Sequence, residues 1–235
     1  YGTGSSVMMN VGEKPVFSKH GVVSSLAWGM DGKVTYVLEG NINYTGAVIT
    51  WLCKDLKLIQ SPKETEELAR QASVEDSTYL IPAFTGLGAP YWESNAKAVL
   101  CGMSRTTGKT EVVRAALECI AYQITDIVKA MSEDAGVTVE ELRVEGDSGI
   151  PIQELRVDGG PTKNQYLMEF QSDIAEKPVL IPKAEELSGI GAAYAAGIGL
   201  GIYEKQKLFS RMERQNFLPK MSKEGVEKKY QGWKE

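Results

Sequence analysis

Between residues 113 and 131, Val113, Ala116, Ile120, Ile124, Ile127 and Met131 recur three or four positions apart. That spacing gathers apolar side chains on one side of a helix with 3.6 residues per turn, so it predicts a core helix of about six turns. Near the start the period shortens. Runs at 7–11, 22–28 and 34–38 are rich in β-formers and are separated by Gly12-Glu13-Lys14-Pro15 and by Asp31-Gly32. They predict an antiparallel meander with a tight hairpin at Asp31-Gly32. Helical patterns follow at 45–56 and 62–72, the second opening with Ser61, Pro62 and Glu64 at capping-box spacing. Short strands at 79–83 and 98–102 flank an aromatic loop. Beyond the long helix, 155–157 and 179–181 read as strands, 164–176 as a helix and 189–202 as a helix crowded with Gly and Ala. The Lys-, Glu- and Arg-rich tail, 212–235, predicts a solvated terminal helix closed by Tyr230 and Trp233. A meander followed by single strands alternating with helices is an α/β pattern with a mixed sheet.

Composition narrows the chemistry. With 235 residues, 43% hydrophobic and 24% charged, the chain has ordinary globular make-up. A net charge of -5, with no Lys/Arg-dense stripe outside the tail, argues against nucleic-acid binding, which needs a basic face. Cys53, Cys101 and Cys119 form no CxxC pair and leave one over, which suits a reducing compartment. His20 is the only histidine, so Ser-His-Asp, Cys-His and His-rich zinc arrangements are not expected, nor is any metal site. No apolar stretch reaches membrane-spanning length and no signal-like start is present, so a cytoplasmic location is expected. The chain opens at Tyr1 inside a Gly-rich motif, which implies residues upstream.

The candidate chemistry lies in Glu154-Leu155-Arg156-Val157-Asp158-Gly159-Gly160-Pro161-Thr162-Lys163-Asn164, a short strand that ends in a diglycine and restarts as a helix. Paired glycines permit positive φ and close backbone approach, and a helix start offers unspent N–H groups to an anion. Given the net negative charge, a phosphate would be held mainly by backbone amides. An ordinary strand-to-helix loop reads the same residues equally well. Tyr1-Gly2-Thr3-Gly4-Ser5-Ser6 supplies a second Gly- and hydroxyl-rich turn. Two other motifs fail: Gly102 to Lys109 has five residues between its glycines where a P-loop has four, and Gly189-Ile190-Gly191-Ala192-Ala193-Tyr194 puts Tyr where a dinucleotide fingerprint needs Gly or Ala. The tetrapeptide Glu141-Leu142-Arg143-Val144 repeats at Glu154-Leu155-Arg156-Val157, and the first copy reads as a local insertion or hairpin partner.

Together Tyr1-Gly2-Thr3-Gly4, the loop Pro82-Ala83-Phe84-Thr85-Gly86-Leu87-Gly88-Ala89-Pro90-Tyr91-Trp92, residues 155–160, Phe170-Gln171-Ser172-Asp173 and Gly191-Ala192-Ala193-Tyr194 resemble the glycerol kinases of the FGGY carbohydrate kinase family. The resemblance runs along residues 1–235 as one C-terminal nucleotide-binding domain. It implies an actin-like ATPase (ribonuclease H-like) domain, with a mixed five-stranded sheet, an antiparallel N-terminal meander and flanking helices, that binds ATP in a cleft between two such domains. It implies that Thr3 meets the nucleotide phosphates, with Gly46 and Thr50 near them at the first helix, and that Gly159, Gly160 and Asn164 hold the nucleotide across the cleft. The implied activity transfers the γ-phosphoryl of ATP, with Mg2+, to a primary hydroxyl of glycerol, giving glycerol 3-phosphate. The polyol-binding N-terminal domain and an aspartate base are implied upstream of Tyr1, so this chain alone is expected to be inactive, and the intact protein to be a homodimer or tetramer. Ser6 stands where many of these kinases carry a Phe against the polyol carbons, which leaves a related polyol as an alternative substrate. A kinase of another polyol or sugar and a non-catalytic nucleotide-binding module are the other readings. Residues 145–153 exceed the family's usual connection, and the helix at 222–230 does not match the one by which enteric members bind a sugar-transport regulator.

Overall fold

The computed structural model describes residues 1–30, 32–136, 152–183, 187–204, 208 and 213–235. The predicted meander forms as β1 (Ser5–Gly12), β2 (Val23–Met30) and β3 (Lys33–Ile42). β3 runs antiparallel between the other two, with Ser5 opposite Ile42 and Val23 opposite Glu39. The Met30 to Lys33 pair closes the β2–β3 hairpin, and Gly32 takes φ +75° there; Asp31 lies outside the described residues. Helices α1 (Gly46–Lys54) and α2 (Glu64–Gln71) follow, then β4 (Tyr79–Ile81), β5 (Val99–Cys101) and α3 (Lys109–Asp134). Next come β6 (Leu155–Arg156), a 3-10 turn (Gly160–Lys163), α4 (Gln165–Ala175), β7 (Val179–Pro182), α5 (Leu187–Gly199), β8 (Arg214–Phe217) and α6 (Lys223–Lys234). The tetrapeptide at 141–144 and residues 145–151 of the long connection lie outside the described residues.

α3 is the spine. Val113, Ala116, Ile120 and Ile127 are fully buried, and the helix packs against α2, α4, β4 and the inner side of the meander. Close approach of the sheet explains one glycine: a Cβ on Gly40 of β3 would lie 2.6 Å from Ile127 Cγ2. The helix extends about one turn beyond the apolar stripe at its N-terminus, where Glu111 fastens it. Glu111 Oε2 accepts the Gly108 N–H at 2.9 Å, and Oε1 accepts the Ser73 N–H from beyond α2 at 3.0 Å. These donors, that of Ser73 foremost, hold the Glu111 carboxyl down at about 2 against an ordinary 4.5.

The α/β class is as expected, but hydrogen bonding divides the strands among three ladders instead of one five-stranded sheet: β1-β3-β2, β4-β5 and β6-β7-β8. β6 pairs parallel with β7, and β8 closes that ladder antiparallel. The edges of β1 and β6 face each other across a cavity of about 550 Å³ lined by 5–10, 152–158 and the α3 side chains Ile124, Val128 and Met131. The interruption has a local cause. β6 has only two residues, and its flanks bond to the β7 side, Leu155 N to Pro178 O and Val157 N to Leu180 O. β8 was not anticipated because Arg-Gln-Asn-Phe lacks apolar alternation; its register comes from pairing with β7.

The terminal helix also departs from expectation. Val226 and Trp233 of α6 are buried, so the helix is docked on the domain and not solvated all round. The Trp233 ring stacks on Tyr122 of α3 at 5.0 Å and 8°. Its Nε1–H donates to Asp126 Oδ2 at 2.7 Å, and the same carboxylate accepts from Tyr91 at 2.8 Å and Tyr230 at 2.5 Å. A buried carboxylate with several donors thus ties the aromatic loop and the tail to α3. No helix among the described residues is long and apolar enough to cross a membrane.

Candidate functional site

The diglycine turn follows β6 directly, and its two glycines have different reasons to be glycine. Gly159 adopts φ 98° and ψ 172°, a region that is essentially glycine's alone, and a Cβ there would fall 1.7 Å from the Tyr1 carbonyl oxygen. Tyr1 N also donates to Asp158 O at 2.9 Å, so the first motif and the diglycine lie in direct contact. A Cβ on Gly160 would meet nothing within 4 Å, because this residue faces open space. The 3-10 turn is closed by the Thr162 hydroxyl on Gly159 O at 2.7 Å, and Asn164 then caps α4, its Oδ1 accepting the Leu167 N–H at 2.9 Å.

The facing wall is α1. The carbonyls of Gly2 and Thr3 accept the N–H groups of Gly46 at 2.9 Å and of Thr45 and Ala47 at 3.0 Å. Gly46 is pressed so close that a Cβ would lie 2.7 Å from Gly2 O. Thr50 sits one turn on, its hydroxyl donating to Gly46 O at 3.0 Å.

These bonds correct one expectation. The Thr45, Gly46 and Ala47 amides of the α1 start are spent on protein carbonyls. At α4, the Gln165 N–H goes to Glu66 Oε2 at 3.0 Å and the Leu167 N–H to Asn164. Helix-start amides at these positions are not open to an anion, since each already has an acceptor inside the fold.

Between the two walls lies a cavity of about 580 Å³, and Gly46, Thr50, Gly160 and Asn164 all line it. Its floor is apolar, from Ile49, Leu117, Ile120 and Leu167. Lys63 and Lys163 are among its lining residues, while its carboxylate, Glu66, is engaged by Arg70 at 3.2 Å and by Gln165 N. Such a chamber, largely apolar with a few directed polar groups, suits a flat ring system carrying an anionic tail. Thr3 and Gly159 shape this cavity from behind and do not line it. Ser6 is elsewhere: it is exposed on β1, bonds Glu39 Oε1 at 3.2 Å and lines the β1–β6 cavity. None of residues 102–110 of the rejected Gly102 to Thr110 turn lines the cavity; Thr107 bonds Asp76 at 2.7 Å and Lys109 pairs with Glu64 of α2 at 4.0 Å.

The sequence reading missed Lys63, Lys163, Thr65, Glu66 and the apolar floor. Leu117 and Ile120 read only as core, and nothing local marks α2 as a wall, because its partner α4 is about a hundred residues away.

Residues 1–200 match the family described as FGGY family of carbohydrate kinases, C-terminal domain. The chain belongs to the FGGY family of carbohydrate kinases. Among curated relatives in this family, the glycerol kinase of Geobacillus sp. (strain WCH70) is 43% identical over all of this chain and 45% of its own length. The glycerol kinase of Petrotoga mobilis is likewise 43% identical, over 100% of the chain and 45% of the relative. The chain therefore spans a little under half the length of the curated relatives it matches. Among solved structures, the Plasmodium falciparum glycerol kinase with ADP superposes with a TM-score of 0.87 at 34% identity, covering 100% of this chain and 45% of that one. A ligand-bound xylulose kinase from Lactobacillus acidophilus matches at a TM-score of 0.79 and 18% identity, over 99% of this chain and 44% of its own, and so speaks for the fold alone. The actin-like ATPase architecture expected from the FGGY motifs is the one the chain adopts.

Proposed function

We propose that this chain is the nucleotide-binding C-terminal half of a glycerol kinase, residues 1–235 forming one domain. The observation that carries the reading is the convergence of Gly46, Thr50, Gly160 and Asn164, from separate elements, on one cavity with an apolar floor. The residues fit ATP. The floor would take the adenine, the open side of Gly160 leaves room that any side chain would fill, and Lys63 and Lys163 supply the positive charge. Thr3 and Gly159 act by holding the walls in place. The naming of its relatives as glycerol kinases, one of them solved with ADP, supports the same assignment.

In the intact enzyme the glycerol primary hydroxyl attacks the γ-phosphorus, the bond to the β–γ bridging oxygen breaks, and ADP and glycerol 3-phosphate result. The hydroxyl proton passes to a carboxylate base in the part of the kinase that precedes this domain, where the polyol is also held. This domain contributes orientation of the nucleotide, which lowers the barrier by positioning. Mg2+ would accompany the phosphates. The described residues do not make a site for it by themselves: they contain no cluster of three candidate ligands, and Glu66 has both oxygens engaged. We expect a cytoplasmic homodimer or tetramer, the assembly to be read by sedimentation.

Two measurements test the proposal. Calorimetry of the 235-residue chain with ADP should show binding, while the chain alone should not phosphorylate glycerol. The intact kinase should prefer glycerol over four- and five-carbon polyols. Absence of ADP binding together with ATP-independent behaviour of the intact protein would remove the reading, and preference for a longer polyol would reassign the substrate.

A further inference from the structure

Asn164 lines the cavity, yet much of its side chain is already committed. Its Oδ1 caps α4 by accepting from Leu167 N at 2.9 Å, which fixes the sense of the carboxamide: the oxygen faces α4 and the nitrogen faces α2. On that side Nδ2 donates to Thr65 Oγ1 at 3.0 Å. Thr65 is 1% exposed, and its own hydroxyl donates to Pro62 O at 2.6 Å. The chain of donors runs one way, from Asn164 through Thr65 to the backbone at the start of α2. Of the two Nδ2 protons one is spent, leaving a single N–H whose direction Thr65 determines.

Resting on the nucleotide reading above, we infer that Thr65 is a positioning residue for the nucleotide: it aims the remaining N–H of Asn164 into the cavity and sets the spacing of the α2 and α4 walls. Thr65 and Glu66 of α2 face the cavity and hold Asn164 and Gln165. Behind them Arg70 ties Glu66 to Glu169 of α4 at 3.2 and 2.9 Å, away from the cavity. The polar bonds between these helices, Asn164 to Thr65, Gln165 N to Glu66 and Arg70 to Glu169, make their packing directional where apolar contacts alone would slide. The hydroxyl of Thr65 is needed both as acceptor and as donor; valine matches its shape and supplies neither role.

The test uses the intact kinase with Thr65→Val, Thr65→Ser and Glu169→Gln. Thr65→Val should raise the KM for ATP about five- to tenfold, with kcat and the KM for glycerol within about twofold of wild type. Thr65→Ser, which restores the hydroxyl, should bring the ATP KM back within about twofold, and Glu169→Gln should leave it unmoved. An unchanged ATP KM in folded Thr65→Val overturns the inference. So does a rise that Ser fails to rescue, or an equal rise in Glu169→Gln, which would assign the effect to the whole seam. The nucleotide reading fails separately: if ADP does not raise the melting temperature of the wild-type 235-residue chain, the cavity is not a nucleotide site and Thr65 positions nothing for one.

Discussion

Exchanging the adjacent glycines of the turn one at a time should separate folding from binding. Gly159→Ala places a Cβ 1.7 Å from Tyr1 O, at φ 98° and ψ 172°. That backbone region costs a residue with a Cβ on the order of 1–3 kcal/mol. Displacing the Tyr1 backbone adds overpacking of roughly 1–3 kcal/mol. For a chain of this size each kcal/mol lowers Tm by about 2–4 °C, so a drop of roughly 5–20 °C is expected. Gly160→Leu meets no atom within 4 Å of the new Cβ, and its melting temperature should stay within about 2 °C of wild type. Its side chain instead enters the 580 Å³ cavity. At an ADP concentration about a hundred times the wild-type Kd, bound ligand stabilises the fold by about 2.7 kcal/mol; a tenfold weaker site leaves about 1.4 kcal/mol, halving the ligand-induced shift in Tm. Differential scanning fluorimetry with and without ADP reads both effects. If Gly160→Leu keeps the full shift, the open side of Gly160 does not face the nucleotide. If Gly159→Ala melts with wild type, the contact between Tyr1 and the turn is wrong.

Glu111→Gln should cost about 1–2 kcal/mol at neutral pH, the loss of charge-assisted bonds to Ser73 and Gly108. Because the folded carboxyl is depressed to about 2, this stabilisation is complete above the ordinary value of 4.5 and fades as pH falls from 4.5 towards 2; urea titrations of both proteins across that range should converge at the acid end. Asp126→Ala strands the Tyr91, Tyr230 and Trp233 donors and should destabilise by on the order of 3 kcal/mol, with altered Trp fluorescence as α6 loosens. Asn164→Ala should lose about 1 kcal/mol from the α4 cap and also raise the ATP KM, whereas Asn164→Asp keeps the cap acceptor but loses both Nδ2 donors, to Thr65 and into the cavity, and should raise the ATP KM without the loss at the cap; melting temperature and ATP KM read the two effects apart.

The local features were legible where one element carries its own signal. The period of Val113 to Met131 gave α3, the turn residues gave the meander, and Glu154 to Asn164 gave a strand, a tight turn and a capped helix. Gly159 could be expected to take a positive φ, but its neighbour's role could not be distinguished from it by sequence, since two glycines in a row look alike until one touches Tyr1 and the other faces a cavity. β8 and the burial of Trp233 were illegible for the same reason: a polar tetrapeptide and a charged tail acquire their places from β7 and from Asp126 on α3.

The sequence by itself determined the order of elements, the α/β class and, through its motifs, the family, because these depend on periodicity, turn chemistry and residue identity along the chain. The tertiary structure decided which groups remain available. It consumed the amides at the starts of α1 and α4 within the fold, left the sheet interrupted between β1 and β6, and brought α2 against α4 so that Thr65 meets Asn164. Those outcomes depend on partners tens to a hundred residues apart, and a hydrogen-bonding group's availability is fixed only when its partner arrives.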